Sequence, residues 1–113
     1  MANIFYGDIW FGDLDPTVGH EQAGQRPVLI VSPDQFNQSP LKLVLVLPLT
    51  TNLRPLPSRV PLLPPEGGLT RPSIILCEAI RSVSHDRLRR RLGTAGPTTM
   101  QAVQDRLRIL MNL

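Results

Sequence analysis

The sequence predicts a small, mainly β protein: a strongly curved antiparallel sheet or barrel with one C-terminal α-helix over an opening or face. Three observations carry that expectation. Five short apolar stretches, rich in branched residues, are separated by connections dense in proline and glycine. No helical pattern recurs between successive strands, as a parallel sheet would require, and the one long amphipathic pattern comes last.

Gly7–Leu14, aromatic and opened by glycine, reads as the first strand. Asp15–Gln25 holds two glycines and almost no large apolar side chain, so it is expected as a surface loop. Val28–Val31 is a short branched run, as in a strand covered on both faces. Ser32, Pro33 and Gln35 have the form of a capping box opening a short helix to about Asn37. Lys42–Leu49 is the next strand, with Pro48 placed where ladder pairing should stop and Thr50 and Thr51 at its mouth. Asn52–Arg59 reads as a stiff exposed connection, and Arg59–Leu63, interrupted by Pro61, as an edge strand.

Pro64–Pro72, with a double proline and a double glycine, is expected as a turn region that carries no core. Ser73–Val83 is the last apolar stretch, and Glu78 and Arg81 imply a bend midway. Ser84 is placed to cap a single helical turn through Arg87, and Arg87–Arg91 reads as a solvated charged turn ahead of the alternative, a phosphate-binding patch. Thr98 and Gln101 form a second capping box, followed by Met100, Val103, Leu107 and Leu110 along one helical face.

A chain of 113 residues is expected to make one domain, spanning 1–113, with a single core. An apolar share of 42% and a charged share of 19% exclude a disordered, charge-rich chain. The net charge of +3 is carried almost wholly by arginine, which suits phosphate contacts, although ordinary solvated surface charge explains the count as well. Cys77 is the sole cysteine and sits in an apolar run, so it is expected as a small buried hydrophobe in a reducing compartment. The first residues lack the basic and apolar segments of a leader, and no stretch is long enough to cross a bilayer; a cytoplasmic protein without membrane contact is expected.

His20 and His85 are far apart and outside any recognised ligand spacing, so no metal site is expected. The loop also lacks the lysine and hydroxyl of a nucleotide-binding loop. What remains is a polar loop with His20, Glu21 and Gln22, an arginine at a strand's start, and hydroxyls at the end of another. Pro27 disfavours the helical region for Arg26 and holds it extended, so its guanidinium is aimed. On the residues alone, a salt bridge to Asp13 or Asp15 is the more ordinary role for Arg26, turn satisfaction for Thr50, and solvation for Glu21 and His20.

Gly7-Asp8-Ile9-Trp10, Asp13-Leu14-Asp15-Pro16-Thr17, Gly19-His20-Glu21-Gln22-Ala23-Gly24, Arg26-Pro27-Val28-Leu29-Ile30-Val31-Ser32 and Pro48-Leu49-Thr50-Thr51 together resemble the MazF/PemK family of toxin endoribonucleases in order and spacing. The resemblance continues through Ile80-Arg81-Ser82-Val83 and Arg87-Leu88 to the final helix. It implies an SH3-like barrel of the PemK/CcdB kind, a homodimer, an antitoxin partner, and cofactor-free, metal-independent cutting of single-stranded RNA at short motifs. Carried over by position, Arg26 and Thr50 resemble the catalytic pair and Glu21 a loop acid in substrate handling. Asp15, Gln22, Gln25, Thr51, Arg54, Ser73 and Arg81 are the further RNA contacts it implies.

His20 departs from the family's usual serine, and the options for it are an acid or base and a simple RNA contact. Pro72 and Ala79 depart from a usual acid and glutamine. A gyrase-poisoning toxin of the CcdB type and a non-catalytic RNA-binding barrel are the competing readings; neither needs Arg26 and Thr50 together.

Overall fold

In a computed structural model that describes residues 3–14 and 24–113, the described residues form seven strands, two α-helices and three single 3-10 turns. The strands are β1 (Asp8–Asp13), β2 (Gln25–Ile30), β3 (Leu43–Thr50), β4 (Arg59–Leu62), β5 (Ser73–Leu76), β6 (Arg81–Ser84) and β7 (Leu88–Thr94). The helices are α1 (Asp34–Asn37) and α2 (Pro97–Leu110). All pairings are antiparallel, in the order β4-β5-β3-β2-β1-β7, with β6 also beside β3. The sheet curls without closing, and β4 forms one end of it, as Pro61 predicts.

β3 is the hub. Its Val46 faces Ile30 of β2 on one edge and Arg81 of β6 on the other, so it is buried on both sides. Alternation sends Leu47 and Leu49, with Ile9 and Leu29, into a core beneath β4 and α2, where Met100 and Val103 meet them. Val44 and Val46 point the other way, into a second cluster with Ile4, Leu14, Val28 and Val83, flanked by Trp10 and Leu88. Covering on both faces is why β2 and β3 read as continuous apolar runs.

Of the Arg87–Arg91 stretch only Arg87 lies in a turn; Leu88–Arg91 is the start of β7. It lies against β1, where Arg89 pairs with Asp13 at 3.3 Å, Arg91 with Asp8 at 3.3 Å, and Arg90 lies over the Phe11 ring at 5.8 Å. Cross-strand charge pairing replaces the apolar alternation that would mark a strand in the sequence. Ser73–Val83 is broken, as its charges imply, by a 3-10 turn at Cys77–Ala79, and Ser84 caps the turn His85–Arg87 through the Asp86 N–H at 3.2 Å.

Neither capping box forms. The Ser32 hydroxyl donates to the Asn37 side chain and accepts the Leu45 N–H at 3.0 Å, tying β3 to the end of α1 instead. α2 begins at Pro97, before Thr98, because the Glu66 carboxylate accepts the Gly96 N–H at 2.8 Å and the Thr99 hydroxyl at 2.6 Å. Glu66 reaches α2 from the turn region expected to carry no core, which also buries Leu69 and Gly67. Leu110, placed on the helix's apolar face by its spacing, is 45% exposed.

The β3–β4 connection is held from β4, the Cys77–Ala79 turn and α2. Glu78 accepts from the Ser58 hydroxyl at 2.7 Å and from Arg59 Nε at 2.9 Å, Arg59 Nη1 donates to the Arg54 carbonyl at 3.1 Å, and Arg106 donates to the Pro57 carbonyl at 3.2 Å. Burial pushes the Glu78 carboxyl up, but hydrogen bonds from Ser58, its own backbone and Arg59, with the Arg59 charge, outweigh it and hold the group below its usual value.

Gly68 has φ +73°, and a Cβ there would lie 1.9 Å from the Leu92 carbonyl oxygen. Gly24 has φ +81°, but a Cβ there would meet nothing among the described residues within 4 Å. In urea denaturation, Gly24→Ala is expected to cost about 1–2 kcal/mol, the left-handed backbone strain alone, and Gly68→Ala clearly more, because backbone must move. Burial pushes the Cys77 thiol up to about 11. At pH 8 a thiol reagent is therefore expected to label the protein only in denaturant, while fast labelling of the folded chain would contradict the buried placement.

Candidate functional site

Two prolines shape the site. Val31 N–H donates to the Leu45 carbonyl at 3.0 Å, so every second pair along β2 and β3 is a hydrogen-bonded one: Leu29 with Leu47, then position 27 with position 49. Pro27 has no N–H, and pairing with β2 ends at Val28–Pro48. On the other edge, His85 N–H donates to the Lys42 carbonyl at 3.0 Å, and the same count puts Pro48 at a hydrogen-bonded position beyond Val46–Arg81. Pairing with β6 ends there too. β3 then pairs with β5 through Leu49–Ile75 and Thr50–Ile74, while β2 stays on β1 through Arg26–Gly12 and Gln25–Asp13.

The two strands thus part where Arg26 and Thr50, two residues beyond the last pair, face each other. Between them lies a hollow of about 230 Å³ lined by Gln25, Arg26, Pro27, Leu49, Thr50, Thr51 and Ser73. Arg26 Nη1 donates to the Leu49 carbonyl at 3.3 Å, the oxygen that an N–H at position 27 would have met. That bond fixes one nitrogen of the guanidinium and leaves the rest of its donor fork to other partners. Thr50 Oγ1 accepts the Asn52 N–H at 3.1 Å, which orients the hydroxyl and leaves its proton to donate. Ser73, only 4% exposed, donates its hydroxyl to the Arg71 carbonyl at 3.1 Å.

The structure therefore gathers Arg26, Thr50, Gln25, Thr51 and Ser73 at one hollow. Arg54 does not line it: it is exposed in the β3–β4 connection, anchored by its carbonyl to Arg59. Arg81 does not either; it is paired with Val46, four residues back along β3 from Thr50, or roughly 13 Å. Asp15, His20, Glu21 and Gln22 lie outside the described residues. Sequence reasoning missed the Leu49 carbonyl, because a backbone oxygen left unpaired by a proline on another strand shows only once the register is known. The visible signal was the pair of prolines, Pro27 and Pro48, in two strands expected to be buried.

An anchored guanidinium and an oriented hydroxyl across a small open hollow are suited to hold a tetrahedral anion and oppose charge that grows on it. Among the described residues, no three His, Cys, Asp or Glu side chains cluster as metal ligands would. No described helix is long and apolar enough to cross a membrane.

Comparison with known proteins gives the family and the fold. Residues 6–111 match the family described as PemK-like, MazF-like toxin of type II toxin-antitoxin system. The chain is 35% identical over 108 residues, 95% of its length and 93% of the relative's, to the endoribonuclease EndoA of Bacillus subtilis (strain 168). Its fold superposes on MazF from Deinococcus radiodurans with a TM-score of 0.86 at 26% identity, covering 97% of each chain. It is also similar to an endoribonuclease in complex with its cognate antitoxin from Mycobacterial species, with a TM-score of 0.81, 27% identity, and 97% and 96% of the two chains covered. With a match that runs almost end to end, the chain belongs to the PemK-like, MazF-like toxins of type II toxin-antitoxin systems.

Proposed function

We propose that the chain is an endoribonuclease toxin that cuts single-stranded RNA at the hollow between β2 and β3, without a metal ion. The observation that carries the reading is the placement of Arg26 and Thr50 on opposite sides of one phosphate-sized hollow. RNA supplies its own nucleophile: the 2′-hydroxyl attacks the adjacent phosphorus, the bond to the 5′-oxygen of the next nucleotide breaks, and a 2′,3′-cyclic phosphate and a 5′-hydroxyl result. The protein then has to hold the phosphate in line, balance charge on its oxygens, and move a proton at each end.

Arg26, anchored at the Leu49 carbonyl, balances the charge with its guanidinium, and Thr50 donates to a second phosphoryl oxygen. A guanidinium is a poor base, so proton transfer falls to other groups. Glu21 and His20 are the candidates from the preceding loop, a carboxylate and an imidazole being side-chain types that commonly serve as general acid or base. Gln25, Thr51 and Ser73 contact the nucleotides that flank the cut. Arg54 and Arg81 would reach RNA only further along its path. A homodimer in the cytoplasm joins two such hollows into one groove; that a cognate antitoxin covers it is supported by the toxin-antitoxin family and by the antitoxin-bound relative.

With purified protein and RNA in a chelator, cleavage leaving 5′-hydroxyl ends is expected, and Arg26→Ala or Thr50→Val should each lower kcat by about 10²–10³. Undiminished cutting by Arg26→Ala would end the proposal. His20→Ala is expected to remove one limb of the pH–rate profile; an unchanged profile would leave His20 as an RNA contact only.

A further inference from the structure

A second cleft, of about 820 Å³, opens on the same side of the sheet as Arg26. Trp10 of β1, Leu88 at the start of β7 and Ile4 make apolar walls, with Pro40 after α1, while Ser39 and His85 bring polar groups to the lining. Among the described residues, three atoms of its lining side chains are buried without a hydrogen-bond partner: Trp10 Nε1, Ser39 Oγ and His85 Nε2. A folded protein rarely leaves one such atom unmatched, and three around one cleft mark a place where a partner is missing.

Their chemistry narrows the partner. The indole N–H only donates, the hydroxyl does both, and the imidazole nitrogen donates or accepts according to its tautomer. Lys42 and Asp86, of opposite charge, both belong to the lining and are exposed, so their formal charges cancel and the cleft suits a neutral ligand. Apolar walls around a donor–acceptor edge fit a flat heterocycle better than a phosphate or an aliphatic chain. Register adds the connection to RNA: Arg26 pairs with Gly12, and Trp10 lies two residues along β1 on the same face, so the two are diagonal neighbours about 7–8 Å apart at Cα.

We propose that this cleft is a nucleobase subsite, in which Trp10 Nε1, Ser39 Oγ and His85 Nε2 turn to meet the edge of a base. The base belongs to the RNA nucleotide next to the cut, or to a free mononucleotide; the first source rests on the RNA-cleaving reading above.

Trp10 is the sole tryptophan of the chain and reports directly on the cleft. Its emission is followed while AMP, GMP, CMP, UMP, ribose 5-phosphate or an uncleavable 2′-deoxy oligonucleotide is added to wild type, Ser39→Ala, His85→Ala and His85→Gln. A saturable change with at least one nucleotide or with the oligonucleotide, none with ribose phosphate, and binding weakened about tenfold in the alanine variants are expected. His85→Gln, which keeps a donor and an acceptor, should retain more binding than His85→Ala, and circular dichroism should match wild type. Mononucleotide binding that RNA does not compete with identifies the free nucleotide as the occupant. A response to the oligonucleotide, together with a raised KM for cleavage in His85→Ala, identifies the RNA base.

No saturable change with any of these ligands, or equal changes in all variants, would overturn the subsite. So would emission that varies only with protein concentration, since a second copy would then be closing the cleft. Cleavage by wild type with a silent Trp10 would remove the subsite and leave the nuclease; nucleotide binding without cleavage would do the reverse.

Discussion

The site depends on one backbone constraint: a proline cannot donate to a ladder. Pro27 stops pairing on one edge of β3 and Pro48 on the other, within a residue of the same level. Freed from both neighbours, β3 takes up β5 in a new register. From the pair Val46–Arg81 to the pair Leu49–Ile75, β3 advances three residues while the facing chain steps back six. The difference of three is the length of the 3-10 turn Cys77–Ala79 between the two strands. A hollow between strands is therefore not cut into the sheet; it is the space left where the sheet changes partners.

Much of this was legible in the residues. Branched runs gave β2 and β3, Pro48 gave the end of pairing, and Glu78 and Arg81 gave the break between β5 and β6. Arg26 was singled out because the following proline holds it extended, and it is extended, inside β2 and not before it. What stayed hidden depended on contacts between distant segments. β7 is a strand because Asp8, Asp13 and Phe11 of β1 receive its arginines, which no local pattern records. α2 starts where it does because Glu66 sits at its end, and Thr98 lost that role to a residue about thirty positions away.

The two faces of the sheet divide the work. One is closed by α2 and β4 over Leu47 and Leu49 and contains the inert Cys77. The other packs Val28 and Val46 under Trp10 and Leu88, and Arg26 follows Val28 on it in the alternation. Rigid packing thus lies directly beneath the polar groups, so the separation of Arg26 from Thr50 is set by strand geometry more than by loop geometry.

The bond from Arg26 to the Leu49 carbonyl makes positions 26 and 27 a single unit. The proline removes the amide that carbonyl was owed, and the adjacent side chain supplies the replacement donor. A lysine's three donors radiate from one point charge, so an anion sharing it with the stranded oxygen would crowd that single atom, whereas a guanidinium's planar fork serves the two with different nitrogens. Drift at either position alone would expose a buried carbonyl or zip the strands shut, so the pair can change only together.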